Sequence, residues 1–169
     1  CYCFAQEVEI QYIRDVYSTV NTTIEKSLSD DENNYFDVEI NKILAGSGQQ
    51  KIHIRLFYRI DDSKEEIERS LIKAEKNYNI AAYEYREEFV FDDGNLLFYF
   101  HKPLLTGNRS GELRYYFSKG KLLKTIVYDT ENNKIECEKD FDNEKLHTAK
   151  AIKQEAAQFQ QMFSLCNDL

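Results

Sequence analysis

The chain has 169 residues, the length of one ordinary domain with one buried core, and 12 Tyr and 11 Phe make it a strand-biased globular composition rather than a disordered one. Its 30 acidic residues outnumber 22 basic ones for a formal charge of -8, which repels phosphate backbones and argues against nucleic acid as a partner. No apolar run is long enough to form a membrane-spanning helix, so no transmembrane segment is expected.

From Glu7 onward Ile10, Ile13, Tyr17, Val20 and Ile24 fall three and four apart, which predicts an amphipathic helix of about five turns. The polar run SLSDDENN ends it, because Ser, Asp and Asn compete for backbone hydrogen bonds. YFDVEINKIL and KIHIRLFYRI, joined by AGSGQQ, then read as a hairpin. In its second strand Ile52, Ile54, Leu56, Tyr58 and Ile60 alternate with His53, Arg55, Phe57 and Arg59.

Residues 63–78 support two readings. Ile67, Leu71, Ala74 and Tyr78 have helical spacing behind a capping box from Ser63 to Glu66, whereas Ile72, Ala74, Lys76 and Tyr78 line one side of a strand. Beyond them, strands flank Asp93-Gly94 and again Lys119-Gly120, dipeptides suited to tight turns with positive φ. HKPLLTGNRSG, between these hairpins, reads as a mobile surface loop, and KIECEKDF as a further strand. Leu146, Ala149, Ile152, Ala156, Phe159, Phe163 and Cys166 predict a closing helix of about six or seven turns. The plan is α+β: an N-terminal helix, an antiparallel meander of about six to eight strands, and a long C-terminal helix packed on one sheet face. With both helices on that face, the other is left for function. No repeat or linker composition divides the chain.

Chemistry-bearing residues are sparse. Tyr83, Tyr85, Phe89 and Phe91 share one parity, as do Leu96, Phe98 and Phe100, and such rows form the core layer beneath helices. Phe57, Tyr99 and Tyr116 take the opposite parity and, with Arg55 and Arg86, are the candidate ligand-binding set for an apolar ligand, a peptide or a partner protein. Arg55, Arg59, Arg86 and Arg114 either gather as an anion site or form ordinary surface pairs. Glu84, Glu87 and Glu88 around Arg86 suggest an acid-base pair in a cleft or, more simply, a solvated face with cross-strand ion pairs. His53, His101 and His147 lack metal-site spacing, and no phosphate loop or nucleophile motif occurs, so no metal, cofactor or catalytic residue is assigned. Cys137 and Cys166 either pair or remain buried thiols.

The first residues, CYCFAQ, have the shape of the end of a secretory signal cleaved after Ala5, with small Cys3 two positions earlier. Residues 1–5 are then a signal remnant and 6–169 one α+β domain. An acylated Cys1 or a CxC metal or redox site are the alternatives. The stretches NYNIAAYEYREEFVFDDGNLLFYF and ELRYYFSKGKLLK resemble those of small exported Bacteroidetes proteins of unassigned function. That resemblance implies export, to the periplasm or outer membrane, and a helix, sheet, helix plan. The expectation is a non-enzymatic binding or interaction module of the cell envelope, with a lipid or apolar-ligand carrier, or a small hydrolase or inhibitor, as alternatives.

Overall fold

A computed structural model describes the chain apart from residues 1, 31, 33, 47, 64–66, 105–110, 130, 132, 139–141 and 169, and describes 2–5 and 135–138 by their backbone alone. Helix α1 (Tyr2–Ser29) leads into eight strands: β1 (Tyr35–Leu44), β2 (Gly48–Asp61), β3 (Glu68–Ile80), β4 (Tyr83–Asp92), β5 (Asn95–Pro103), β6 (Leu113–Ser118), β7 (Lys121–Tyr128) and β8 (Lys134–Glu138). Helix α2 (Asn143–Asn167) closes the chain, its first turn capped by Asp142, which accepts a hydrogen bond from the Lys145 amide. The strands pair antiparallel in the order β1 to β8, giving an α+β fold with an open meander. Most of the expected HKPLLTGNRSG loop lies outside the described residues.

The ambiguous segment is strand. β3 pairs with β2 on one side and β4 on the other, and these two ladders override the local helical spacing, whose first member, Ile67, is 70% exposed. Helix α1 also begins earlier than expected, at Tyr2 rather than Glu7.

The two helices lie on opposite faces of the sheet, not on one. Ala149, Ile152, Ala156, Phe159 and Phe163 of α2 pack on Leu56, Phe89, Phe91, Tyr99 and Phe117, whereas Ile10, Ile13, Val20 and Ile24 of α1 pack on Phe57, Val90, Phe98 and Tyr116. Apolar residues therefore run consecutively through the central strands, as at Phe89, Val90 and Phe91, because a sheet covered on both sides must be apolar on both sides.

Bulges add to the second apolar face. Ile72, Leu97 and Leu123 are each skipped in the ladder with the preceding strand: Phe57 pairs Lys73 while Tyr58 pairs Leu71, Val90 pairs Phe98 while Phe91 pairs Leu96, and Tyr116 pairs Lys124 while Phe117 pairs Leu122. Each skipped residue packs in the α1 core, whereas its predecessor, Leu71, Leu96 or Leu122, packs in the α2 core. The β4–β5 and β6–β7 hairpins share the sequence pattern F-x-x-G-x-L-L at Phe91–Leu97 and Phe117–Leu123, and the bulge falls at the second Leu of each.

Helix α2 crosses the strands along one end of the sheet. Lys153 Nζ donates to the Gly120 carbonyl at 3.0 Å, Gln160 Nε2 to the Gly94 carbonyl, and Asn167 Oδ1 accepts from Arg69 Nη1 at 3.1 Å. These residues are seven apart, about 10.5 Å along a helix. Every second strand boundary recurs at about 9.6 Å. The match lets one helix flank meet two hairpin turns and the start of β3.

Candidate functional site

On the α1 face three strands contribute two side chains each to the floor of a slot: Phe98 and Phe100 from β5, Tyr116 and Arg114 from β6, Ile126 and Tyr128 from β7. Register sets them side by side, with Phe98 opposite Tyr116 and Phe100 opposite Arg114, which in turn faces Ile126. Ile13, Arg14 and Tyr17 of α1 form the wall, and the cleft between wall and floor measures about 320 Å³. Phe98 packs edge to face with Tyr17 at 5.0 Å and Tyr116 at 5.1 Å, so the inner end is a rigid aromatic corner.

The outer end is cationic. The Arg114 guanidinium lies 4.6 Å from the Tyr128 ring centre and 5.9 Å from that of Phe100. Its Nη2 donates to Glu112 at 2.8 Å, while its Nε is buried without a hydrogen-bond partner among the described residues. Glu112 also pairs with Lys102 at 2.8 Å. Burial opposes ionisation of Glu112, but the hydrogen bonds from Lys102 and Arg114 outweigh it and hold the carboxyl below the usual range. Gly111 makes this placement feasible, because a Cβ there would lie 1.7 Å from the Tyr128 carbonyl oxygen.

Behind the slot, Tyr17 donates its hydroxyl to Glu88 Oε2 at 3.2 Å, and burial raises the phenol pKa. Glu88 is paired with Lys73 at 2.9 Å and Arg86 at 2.7 Å; both cations also contact Glu75, and Lys73 donates to Asn21 of α1 at 2.8 Å. The four charges cancel, which makes burial of Lys73 tolerable and fixes α1 over the sheet.

Glu87 belongs to the other face. It accepts from Tyr99 at 2.8 Å, Tyr78 at 3.4 Å and Lys76 at 2.8 Å, and Lys76 also bonds Glu155 of α2. Glu87 and Glu88 are thus separated by the sheet and cannot act as a pair on one substrate. Glu84 is exposed. His101 lies opposite Glu87, but none of the three described clefts is lined by either residue.

The five sequence-predicted ligand residues do not form one surface. Tyr116 lies in the slot floor, and Arg86 stands behind the slot through Glu88 and Tyr17. Phe57 lines a separate cleft of about 430 Å³ at the far end of α1, which also has Arg59, Glu32 and Asp62 in its lining. Arg55 bonds Asp37 at 2.9 Å beside the Tyr35 ring. Tyr99 faces α2, because the bulge at Leu97 reverses the parity read from its strand. The second face is therefore no open aromatic surface: Phe57, Tyr99 and Tyr116 are all buried.

Sequence reasoning missed Phe100, Arg114 and Tyr128 as slot members. The Leu96-Leu97 and Leu122-Leu123 doublets after each turn are the signal that could have placed them. Among the described residues no cluster of His, Cys, Asp or Glu is arranged to hold a metal, and no helix is long and apolar enough to cross a membrane. Cys166 is a half-buried free thiol, whereas the side chain of Cys137, like those of residues 1–5, lies outside the described residues. Comparison with known protein families, curated proteins and solved structures gives no match in any of the three.

Proposed function

We propose that this protein is an exported, non-enzymatic binding module whose slot beside α1 holds one small apolar or aromatic ligand. The observation that carries the reading is the six-residue floor of β5, β6 and β7, walled by α1 around about 320 Å³. That volume lies at the small end of ligand sites, and its lining has the composition of one: an apolar, aromatic majority with a few placed polar groups. It suits a single fused ring or a short chain better than a two-chain lipid. A hydrolase reading finds less support, since Glu87 and Glu88 are each saturated by their own partners on opposite faces.

Export rests on the CYCFAQ segment and on its likeness to signal-peptide ends. Gln6 is compatible with a mature start there: its side chain already contacts the body, donating to the Leu123 carbonyl at 2.7 Å. Mass spectrometry of the N-terminus of the natural protein separates a start at Gln6 from an acylated Cys1.

Binding is tested by titrating the protein with the neutral fluorophore N-phenyl-1-naphthylamine. Saturable binding to one site is expected, weakened about tenfold or more by Phe100→Ser and by Tyr128→Ser, each of which removes a half-buried ring from the floor. Absence of saturable binding, or indifference to both substitutions, would contradict the reading.

A further inference from the structure

We propose that the ligand of this slot is a monoanion, a planar apolar body bearing one carboxylate or an anion of similar size, with Arg114 as the residue that receives it. The inference rests on the binding reading above and adds the charge of the occupant.

The first ground is local charge. Arg14 and Arg114 both line the slot and no carboxylate among the described residues does; Glu112, outside the lining, pairs with Arg114 and Lys102, so these three positive charges and one negative sum to +2 on a chain whose total is -8. Arg14 is exposed on the wall and forms no ion pair among the described residues. The neighbouring group of Lys73, Glu75, Arg86 and Glu88 is already neutral and does not compensate. A positive spot of this kind on an acidic protein favours an anion and raises the rate at which one arrives.

The second ground is unsatisfied hydrogen bonding. Arg114 uses Nη2 on Glu112 but leaves Nε buried without a partner among the described residues, a costly state for a charged donor. A small rotation of the guanidinium toward the slot offers Nε and Nη2 together to a bidentate anion, and Glu112 retains Lys102 when Arg114 turns away. The rings of Tyr128 and Phe100 then flank the guanidinium and the ligand body at once. The aromatic corner of Tyr17, Phe98 and Tyr116 takes the apolar end. The site thus has two unlike ends, and a ligand with two unlike ends satisfies both.

Calorimetric titration of the full chain with naphthalene-2-carboxylate and naphthalene-2-carboxamide, equal in shape and different in charge, tests this. The carboxylate is expected to bind about tenfold or more tightly than the amide, with the preference shrinking as salt is raised. Arg114→Gln should bring the affinity ratio close to one, whereas Arg114→Lys, which keeps a charge, should retain part of it. Equal binding of the two probes would overturn the anion inference and leave the apolar slot standing. Binding of neither would overturn both, and a preference that survives Arg114→Gln would overturn the assignment to Arg114.

Discussion

Tyr99, Tyr78 and Lys76 converge on one carboxylate, Glu87, beneath α2, and removing any of these donors leaves a buried charge short of a partner. Tyr99→Phe keeps the ring packing and deletes one donor to an ion, so urea unfolding should show a loss of about 1.5–3 kcal/mol. Burial, reinforced by the Glu87 charge, raises the Tyr78 and Tyr99 phenol pKa values. Unfolded tyrosines ionise near their ordinary value of 10.0 while these two stay protonated, so stability is intact below that pH and falls as pH rises above it. Tyr99→Phe should make the fall shallower. His101 has the opposite sense: burial lowers its pKa, and its Nδ1 is buried without a hydrogen-bond partner among the described residues. Below the ordinary histidine value of 6.5 the unfolded state takes up the proton first, so acidification through that point destabilises the fold. His101→Phe preserves the stack on Tyr85 and should flatten the unfolding midpoint between about pH 7.5 and 5.5. An unchanged slope would show that the histidine is solvated.

At the scale of the elements, the hairpins depend on turns with positive φ. Asp93 and Gly94 have φ of 45° and 73°, and Lys119 and Gly120 have 49° and 73°. A Cβ on Gly120 meets nothing within 4 Å, so Gly120→Ala carries only the left-handed backbone penalty, and thermal unfolding should register a loss of about 1–2 kcal/mol. These turns were legible from their dipeptides, and β2 was legible from strict alternation. Both helices were legible from spacing, as Ile10, Ile13, Val20 and Ile24 show for α1. What alternation could not supply is the bulge. In β5 it moves Phe98 and Phe100 to the α1 side and Tyr99 to the α2 side, so parity carried through from Leu96 assigns all three to the wrong layer. The β3 segment was undecided for another reason: Ala74 and Tyr78 fit either period, and only pairing with β2 and β4 chooses.

Across the whole molecule, covering both faces leaves little room for an open binding surface and directs attention to the flank of a helix. α1 reaches from Leu123 on β7, held by Gln6, to the Phe57 and Ile72 region of β2 and β3, and therefore crosses strands whose lower α1-face residues it does not cover. Under β1 to β4 those residues are ion-paired, as in Asp37 with Arg55 or Glu75 with Arg86. Under β5 to β7 they are Phe100, Arg114 and Tyr128, and there the slot opens. The change from paired charge to aromatic floor along one face cannot be read from any single strand, because it exists only once register aligns all of them. The most direct test of that arrangement is residue-resolved NMR of the labelled protein with saturating N-phenyl-1-naphthylamine. Chemical shifts should move at Tyr17, Phe100, Arg114 and Tyr128 and stay fixed at Tyr78, Tyr99 and Phe159 beneath α2; perturbation centred on the latter group, or none at the former, would contradict the account.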